Sequence, residues 1–230
     1  MIQWLVQSAT EHRDLSRGIA PPGLLHPIEQ QRLAELKLSK RRSEWLIGRW
    51  TAKHLLQACL ERDLNVHLPL NAIGIYNDAR GAPVAMIDCG SRIVERAVSI
   101  SHSHACGLSA VIPDSAIGLG ADIERSEPRE WRFVEDYFTS DEIDRVRAAP
   151  IDRRETLITA IWSAKEAALK ALRLGLTIDT RRVHCAIDPQ RYSDHDWLEF
   201  VITCTSSYIE TLRGWWRTWG EYVLTVAITA

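Results

Sequence analysis

Asp122 and Glu124 stand two residues apart at the end of a strand-like run, and Glu166 stands one helical turn before Lys170. Three carboxylates can hold a hard cation, and a lysine beside them can meet a phosphate. The combination suits Mg2+-assisted phosphoryl-type chemistry. Each half also has a plainer reading. Acids are common where a strand runs out into solvent. A Glu–Lys pair four residues apart is an ordinary surface pair, worth roughly 0.3 kcal/mol. The two signals together are far less expected by chance than either alone.

The elements that must position these groups are legible nearby. Residues 116–124 alternate: Ile117, Leu119, Ala121 and Ile123 share one face, and Ala116, Gly118, Gly120, Asp122 and Glu124 the other. The glycines leave room for another body to lie close to the acid-bearing face. Residues 154–173 have helical spacing, with Leu157, Ile158, Ile161, Ala164, Ala168, Leu169 and Leu172 as the apolar stripe. Trp162, Glu166 and Lys170 form a neighbouring ridge, while Lys165 falls close to the stripe and must snorkel or find an anionic partner.

The run Gly120-Ala121-Asp122-Ile123-Glu124, followed by Trp162-Ser163-Ala164-Lys165-Glu166-Ala167-Ala168-Leu169-Lys170, resembles the paired signature of the 4'-phosphopantetheinyl transferases. Ser99-Ile100-Ser101-His102-Ser103, Gly81-Ala82-Pro83 and Phe138-Thr139-Ser140-Asp141-Glu142 resemble three further blocks of that family, in the family's order. The length is similar to the longer, surfactin-type (Sfp-type) subfamily. Ala121 stands where the family prefers Ile or Val, and Ala82 where it has a nucleotide-contacting lysine; Arg80 is the candidate substitute.

The resemblance implies an α+β fold of two pseudo-twofold-related lobes, residues 1–112 and 113–230, with the metal ligands on the second and the active site at their interface. It implies transfer of the 4'-phosphopantetheine arm of coenzyme A to a serine of an apo acyl or peptidyl carrier protein, leaving 3',5'-ADP. Fatty-acid, polyketide and nonribosomal-peptide carriers all stay open as acceptors. Asp122, Glu124 and Glu166 would hold Mg2+. Glu166 would take the serine proton, and Lys170 with Asp122 would complete the catalytic set. His102, Ser101, Lys165, Lys170, Gly81, Arg80, Arg32 and Arg49 would bind coenzyme A, with Lys165 on the pyrophosphate or orienting Glu166. The alternatives are another Mg2+-dependent phosphate enzyme and a non-catalytic module that binds coenzyme A or a carrier.

Composition bounds these readings. A chain of 230 residues that is 46% hydrophobic can bury a substantial core, and a net charge of −2 gives no global pull toward nucleic acid or membrane. No apolar run approaches the ~20 residues of a membrane span. The first residues lack a basic leader before a long apolar stretch. The cysteines 59, 89, 106, 185 and 204 are scattered, which reads as reduced thiols. A cytoplasmic monomer is the expectation.

Further along the chain, helices are expected over 27–38 and 42–63 and from Thr139, where Glu142 completes a capping box. Strands are expected at 2–8, 73–76, 84–87, 97–101, 108–112, 183–187, 197–204, 212–219 and 222–229. A turn at 113–115 would place His102 and Asp122 in one small meander. His102 and His104 could ligate a transition metal, but no third ligand stands at a recognisable spacing. Arg41, Arg42, Arg49 and Lys53 form either a solvated helix face or a basic rim for a nucleotide phosphate. The run Arg213–Trp219 alternates arginine with tryptophan, which suits a cation–π strand edge better than base stacking at this net charge. Arg145, Arg147, Arg153 and Arg154 could steer an acidic carrier, or simply line a solvated face offset by nearby acids.

Overall fold

The computed structural model describes the chain except for residues 1, 91, 115, 206–208 and 230, and for the side chains of residues 11, 176 and 209. The expected turn at 113–115 therefore ends outside the described residues. The chain is α+β and divides into two compact units, Met1–Ala116 and Ile117–Ala230.

Unit 1 runs β1 (Gln3–Ser8), α1 (Arg13–Ser16), α2 (Pro27–Glu35), α3 (Ser39–Leu64), then β2 (Ile73–Asn77), β3 (Pro83–Asp88), β4 (Ile93–Ser103) and β5 (Cys106–Ile112). Its sheet has the order β1-β5-β4-β3-β2, antiparallel throughout. Unit 2 runs β6 (Leu119–Arg125), α4 (Trp131–Tyr137), α5 (Ser140–Ala148), α6 (Arg154–Ala171), then β7 (Val183–Cys185), β8 (Leu198–Thr205), β9 (Ile209–Trp219) and β10 (Tyr222–Thr229). Its order, β6-β10-β9-β8-β7, is the same connectivity over again. In each unit the first strand pairs with the last, and one long helix covers a face of the sheet.

The cores follow from the side-chain periods. Ala52, Leu55, Leu56, Cys59 and Leu60 of α3 meet Ile73, Ile75, Ala85, Ile87, Val98 and Val111 of the sheet. In unit 2 the expected stripe is the buried one: Leu157, Ile161, Ala164, Ala168 and Leu169 meet Phe200, Ile202, Leu212, Trp216 and Val223. The Thr139–Glu142 capping box starts α5, with both reciprocal bonds made.

Two expectations change. His102 and Asp122 do not share a meander, because β5 closes unit 1 by pairing with β1, and β6 opens the other sheet by pairing with β10. The short helix α4 was not anticipated. Its seven residues are too few for a clear period, and Trp131 and Tyr137 on it remain exposed.

Candidate functional site

The acid-bearing strand and the Glu166 helix are brought together by missing side chains. A Cβ on Gly120 would lie 1.8 Å from the carbonyl oxygen of Ala167, and one on Gly118 would lie 2.2 Å from that of Ala171. Backbone of α6 therefore rests on backbone of β6, and any larger residue at either position would push the helix away. This approach brings Lys170 Nζ to 2.7 Å from Asp122 Oδ1 and lets it donate to Ala121 O at 3.1 Å. Asp122 is 3% exposed. Its neighbour across the ladder, Thr225, shares a 2.7 Å hydroxyl–hydroxyl hydrogen bond with Ser163 of α6. Trp162 Nε1 donates to Glu124 Oε1 at 3.2 Å, and Arg129 Nη2 stands 3.6 Å from Glu124 Oε2.

The three acids crowd one another. Burial pushes the Glu124 carboxyl up to about 7, and the charges of Asp122 and Glu166 add to the push; Arg129 and the Trp162 N–H oppose it. Burial, then Asp122, also raises Glu166, against the pull of Lys170. Crowded carboxylates of this kind are what a hard divalent cation relieves, and every donor in the set is an oxygen. Among the described residues no group of three or more His, Cys, Asp or Glu side chains converges as a ready-made metal cage. Mg2+ does not require one, since it usually takes one or two carboxylates and completes its shell with water and substrate phosphate. The residues fit Mg2+ on donor chemistry.

Lys165 sits elsewhere. It is 0% exposed, with its ammonium 2.9 Å from Glu142 Oε2 and donating to the carbonyls of Thr180, at 3.0 Å, and Val183. Glu142, also fully buried, uses its other oxygen to accept from Cys185 N at 2.8 Å. A pyrophosphate cannot reach this ammonium. The anionic partner the sequence demanded is the capping-box glutamate of α5, so one carboxylate serves both the helix end and the lysine.

Unit 1 repeats this clasp. Glu29, the capping-box glutamate of α2, pairs with buried Lys53 of α3, which donates to Leu24 O at 2.8 Å and Leu70 O at 3.1 Å. Leu70 and Thr180 each lie in the short 3-10 turn just before the strand that follows the long helix. The sequence carries a trace of the repeat, Trp50-Thr51-Ala52-Lys53 against Trp162-Ser163-Ala164-Lys165. Almost nothing around it matches.

A cleft of about 590 Å³ lies within unit 1, lined among others by Arg32, Arg41, Trp45, Arg49, Tyr76 and His102. It gathers three of the expected coenzyme A residues: Arg32, Arg49 and His102. Arg49 Nε is 3.2 Å from Glu29 Oε1, an ion pair too poorly aligned to be a hydrogen bond, and its guanidinium lies 4.9 Å from the Trp45 ring centre. Ser101 is on the opposite face of β4 from His102 and is buried there, outside the cleft. Arg80 and Gly81 occupy a turn that Asp78 caps through the N–H groups of Arg80 and Ala82, and neither lines the cleft. Of the other basic residues on α3, Arg42 is tied to the carbonyls of Gly18 and Leu33, and Lys53 is in the clasp. Trp45 and Tyr76 were not anticipated as cleft residues; the arginines around Trp45 were the available signal.

Residues 118–227, nearly the whole of unit 2, match the model of the 4'-phosphopantetheinyl transferase superfamily. A holo-[acyl-carrier-protein] synthase of Staphylococcus aureus is 34% identical over 89 residues, 39% of this chain and 71% of that protein. The chain belongs to the 4'-phosphopantetheinyl transferase superfamily. It is also similar to the 4'-phosphopantetheinyl transferase psf-1 of Bacillus pumilus, 29% identical over 110 residues, 48% of this chain and 44% of the relative. The human L-aminoadipate-semialdehyde dehydrogenase-phosphopantetheinyl transferase is 21% identical over 196 residues, 82% of this chain and 61% of the relative. The chain thus spans about half the length of these last two relatives.

Proposed function

We propose that the protein transfers the 4'-phosphopantetheine arm of coenzyme A to a serine of an apo acyl or peptidyl carrier protein, in the manner of the surfactin-type subfamily, as a cytoplasmic monomer that requires Mg2+. The observation that carries this reading is the bare β6–α6 approach, which seats Lys170 on Asp122 and leaves the charges of Asp122, Glu124 and Glu166 acting on one another, inside the segment that matches the family.

Asp122, Glu124 and Glu166 would hold the cation, which when bound supplies positive charge at the pyrophosphate. The Glu166 carboxylate takes the proton of the carrier serine. Its burial and its acidic neighbours raise its proton affinity, which suits a base working near neutral pH. The serine oxygen then bonds to the phosphorus that bears the pantetheine arm. The bond from that phosphorus to the bridging oxygen breaks, and 3',5'-ADP leaves. Lys170, anchored on Asp122, places its ammonium where charge grows on the leaving phosphate. Within unit 1, the cleft lined by Arg32, Arg41 and His102 offers cationic groups suited to a nucleotide phosphate. Lys165 acts as a positioning residue, fixing α6 from beneath.

Incubation with coenzyme A, Mg2+ and a panel of apo carriers, read by intact mass, tests the reading. One phosphopantetheine added per carrier supports it. Binding of coenzyme A with no mass change on any carrier, or phosphate release without a carrier, would replace it.

A further inference from the structure

Arg129 lies in the connection between β6 and α4, and neither the signature blocks nor the mechanism above gives it a role. Its side chain is 23% exposed and stands 3.6 Å from Glu124 Oε2, outside hydrogen-bond distance. The guanidinium carbon is 4.6 Å from the centre of the Phe133 ring, and Nε is buried with no hydrogen-bond partner among the described residues. Phe133 in turn packs against Trp162 at 5.1 Å, the indole that holds the other oxygen of Glu124.

These contacts describe a cation that is parked rather than locked. An arginine committed to a carboxylate makes paired, short, directional bonds; this one makes none to Glu124, although it faces it. The aromatic surface beneath it holds it by the weaker, non-directional cation–π attraction. Among the described residues of unit 2, three carboxylates, Asp122, Glu124 and Glu166, stand beside the cations Lys170 and Arg129. A divalent cation would overfill that balance. A pyrophosphate arriving with it would restore the balance and offer the guanidinium a better partner.

We propose that Arg129 is a placeholder cation for Glu124, competing with the divalent metal when it binds alone and turning to the pyrophosphate when metal and coenzyme A bind together. The inference rests on the proposed function, because it takes the three acids as the cation site. Its measure is direct metal affinity. Mn2+ is titrated into the full chain and followed by electron paramagnetic resonance, first alone and then with coenzyme A. Arg129→Leu keeps the apolar packing on Phe133 and removes the charge. It should bind Mn2+ alone about 10-fold more tightly, the size expected for one charge removed a few ångströms away in a partly solvated site. It should also lose most of the tightening that coenzyme A gives the wild type. Arg129→Lys should stay near wild type in both titrations. If the leucine variant does not fold, Arg129→Gln carries the same expectation. Mn2+ affinity that is unchanged or weaker without the charge overturns the inference. Asp122→Asn separates it from the function beneath it. Wild-type binding that Asp122→Asn abolishes but the Arg129 variants do not tighten sinks only the role of Arg129. Binding indifferent to Asp122, or no binding at all, sinks the cation site and this inference with it.

Discussion

The two units share a scaffold and differ in chemistry. Each has the same strand order, the same long helix and the same buried lysine–glutamate clasp. Counting from the clasp lysine, the next residue is His54 in α3 and Glu166 in α6; four further on stand Ala58 and Lys170. Strand β1, Gln3–Ser8, carries no acid at all, whereas β6 carries Asp122 and Glu124. What the units have in common is therefore what holds a helix on a sheet, and what separates them is the set of acids and Lys170 that would serve the metal and pyrophosphate. The Trp-x-x-Lys core of the repeat belongs to architecture, and only the residues just beyond it are free to specialise.

The largest effect should come from breaking what is shared. Removing one partner of a buried ion pair leaves an uncompensated charge and costs about 3–5 kcal/mol. Glu142→Gln and Glu29→Gln should each lower stability by roughly that amount, measured by urea unfolding. The paired replacement Lys165→Met with Glu142→Leu should recover part of the loss. A single substitution that leaves the urea midpoint unmoved would show that the clasp is not a structural device.

Next in size is the loss confined to unit 2. Asp122→Ala should reduce transfer by at least about 10²-fold, without rescue by excess Mg2+. His54→Ala, at the place in unit 1 that corresponds to Glu166, should leave kcat near wild type. Rates of transfer for the two variants on one carrier make the test, and equal losses would erase the proposed division of labour.

A smaller effect separates the acids themselves. The raised carboxyl of Glu124 favours folding most below about pH 4.5, and that contribution is lost as pH rises through about 7. The metal-free wild type should therefore lose stability across this window relative to Glu124→Gln, by no more than about 3 kcal/mol. Melting in a chelator at pH 5 and pH 8 reads the difference. Parallel profiles would mean that Glu124 is not held against ionisation.

The smallest expected effect concerns the carrier. Arg145 pairs with Asp141 at 2.7 Å and Arg147 with Asp144 at 3.3 Å, while Arg147 also lies over Trp131 and is 59% exposed. Charge reversal of both to Glu should raise KM for the carrier a few-fold, leave KM for coenzyme A unchanged and flatten the salt dependence of transfer. An unchanged salt slope would place the docking surface elsewhere.

Much of unit 2 was legible because its signals are local. The alternation that ends at Glu124, the stripe of α6 and the Thr139 box each depend on residues close in sequence. The glycines at 118 and 120 announced a close approach, and α6 supplies it. What stayed hidden was pairing at a distance. Nothing around Lys165 names Glu142 as its partner, since the capping box already accounts for that glutamate. Nor does the chain near residue 115 show that β5 returns to β1 while β6 turns to β10. Arg49 and His102 were readable as basic groups. That they line one cleft with Trp45, while Ser101 lies behind the sheet, follows from the register of β4.

The clasps also leave each unit with a chemical tag that only unfolding exposes. The chain has five lysines: Lys37 and Lys40 are exposed, Lys170 leans on Asp122, and Lys53 and Lys165 are sealed, one in each unit. An amine-reactive label applied to the native protein should mark Lys37 and Lys40 at once. It reaches Lys53 or Lys165 only when the surrounding unit opens. The delay at each site then clocks the opening of its own unit, with no engineered probe.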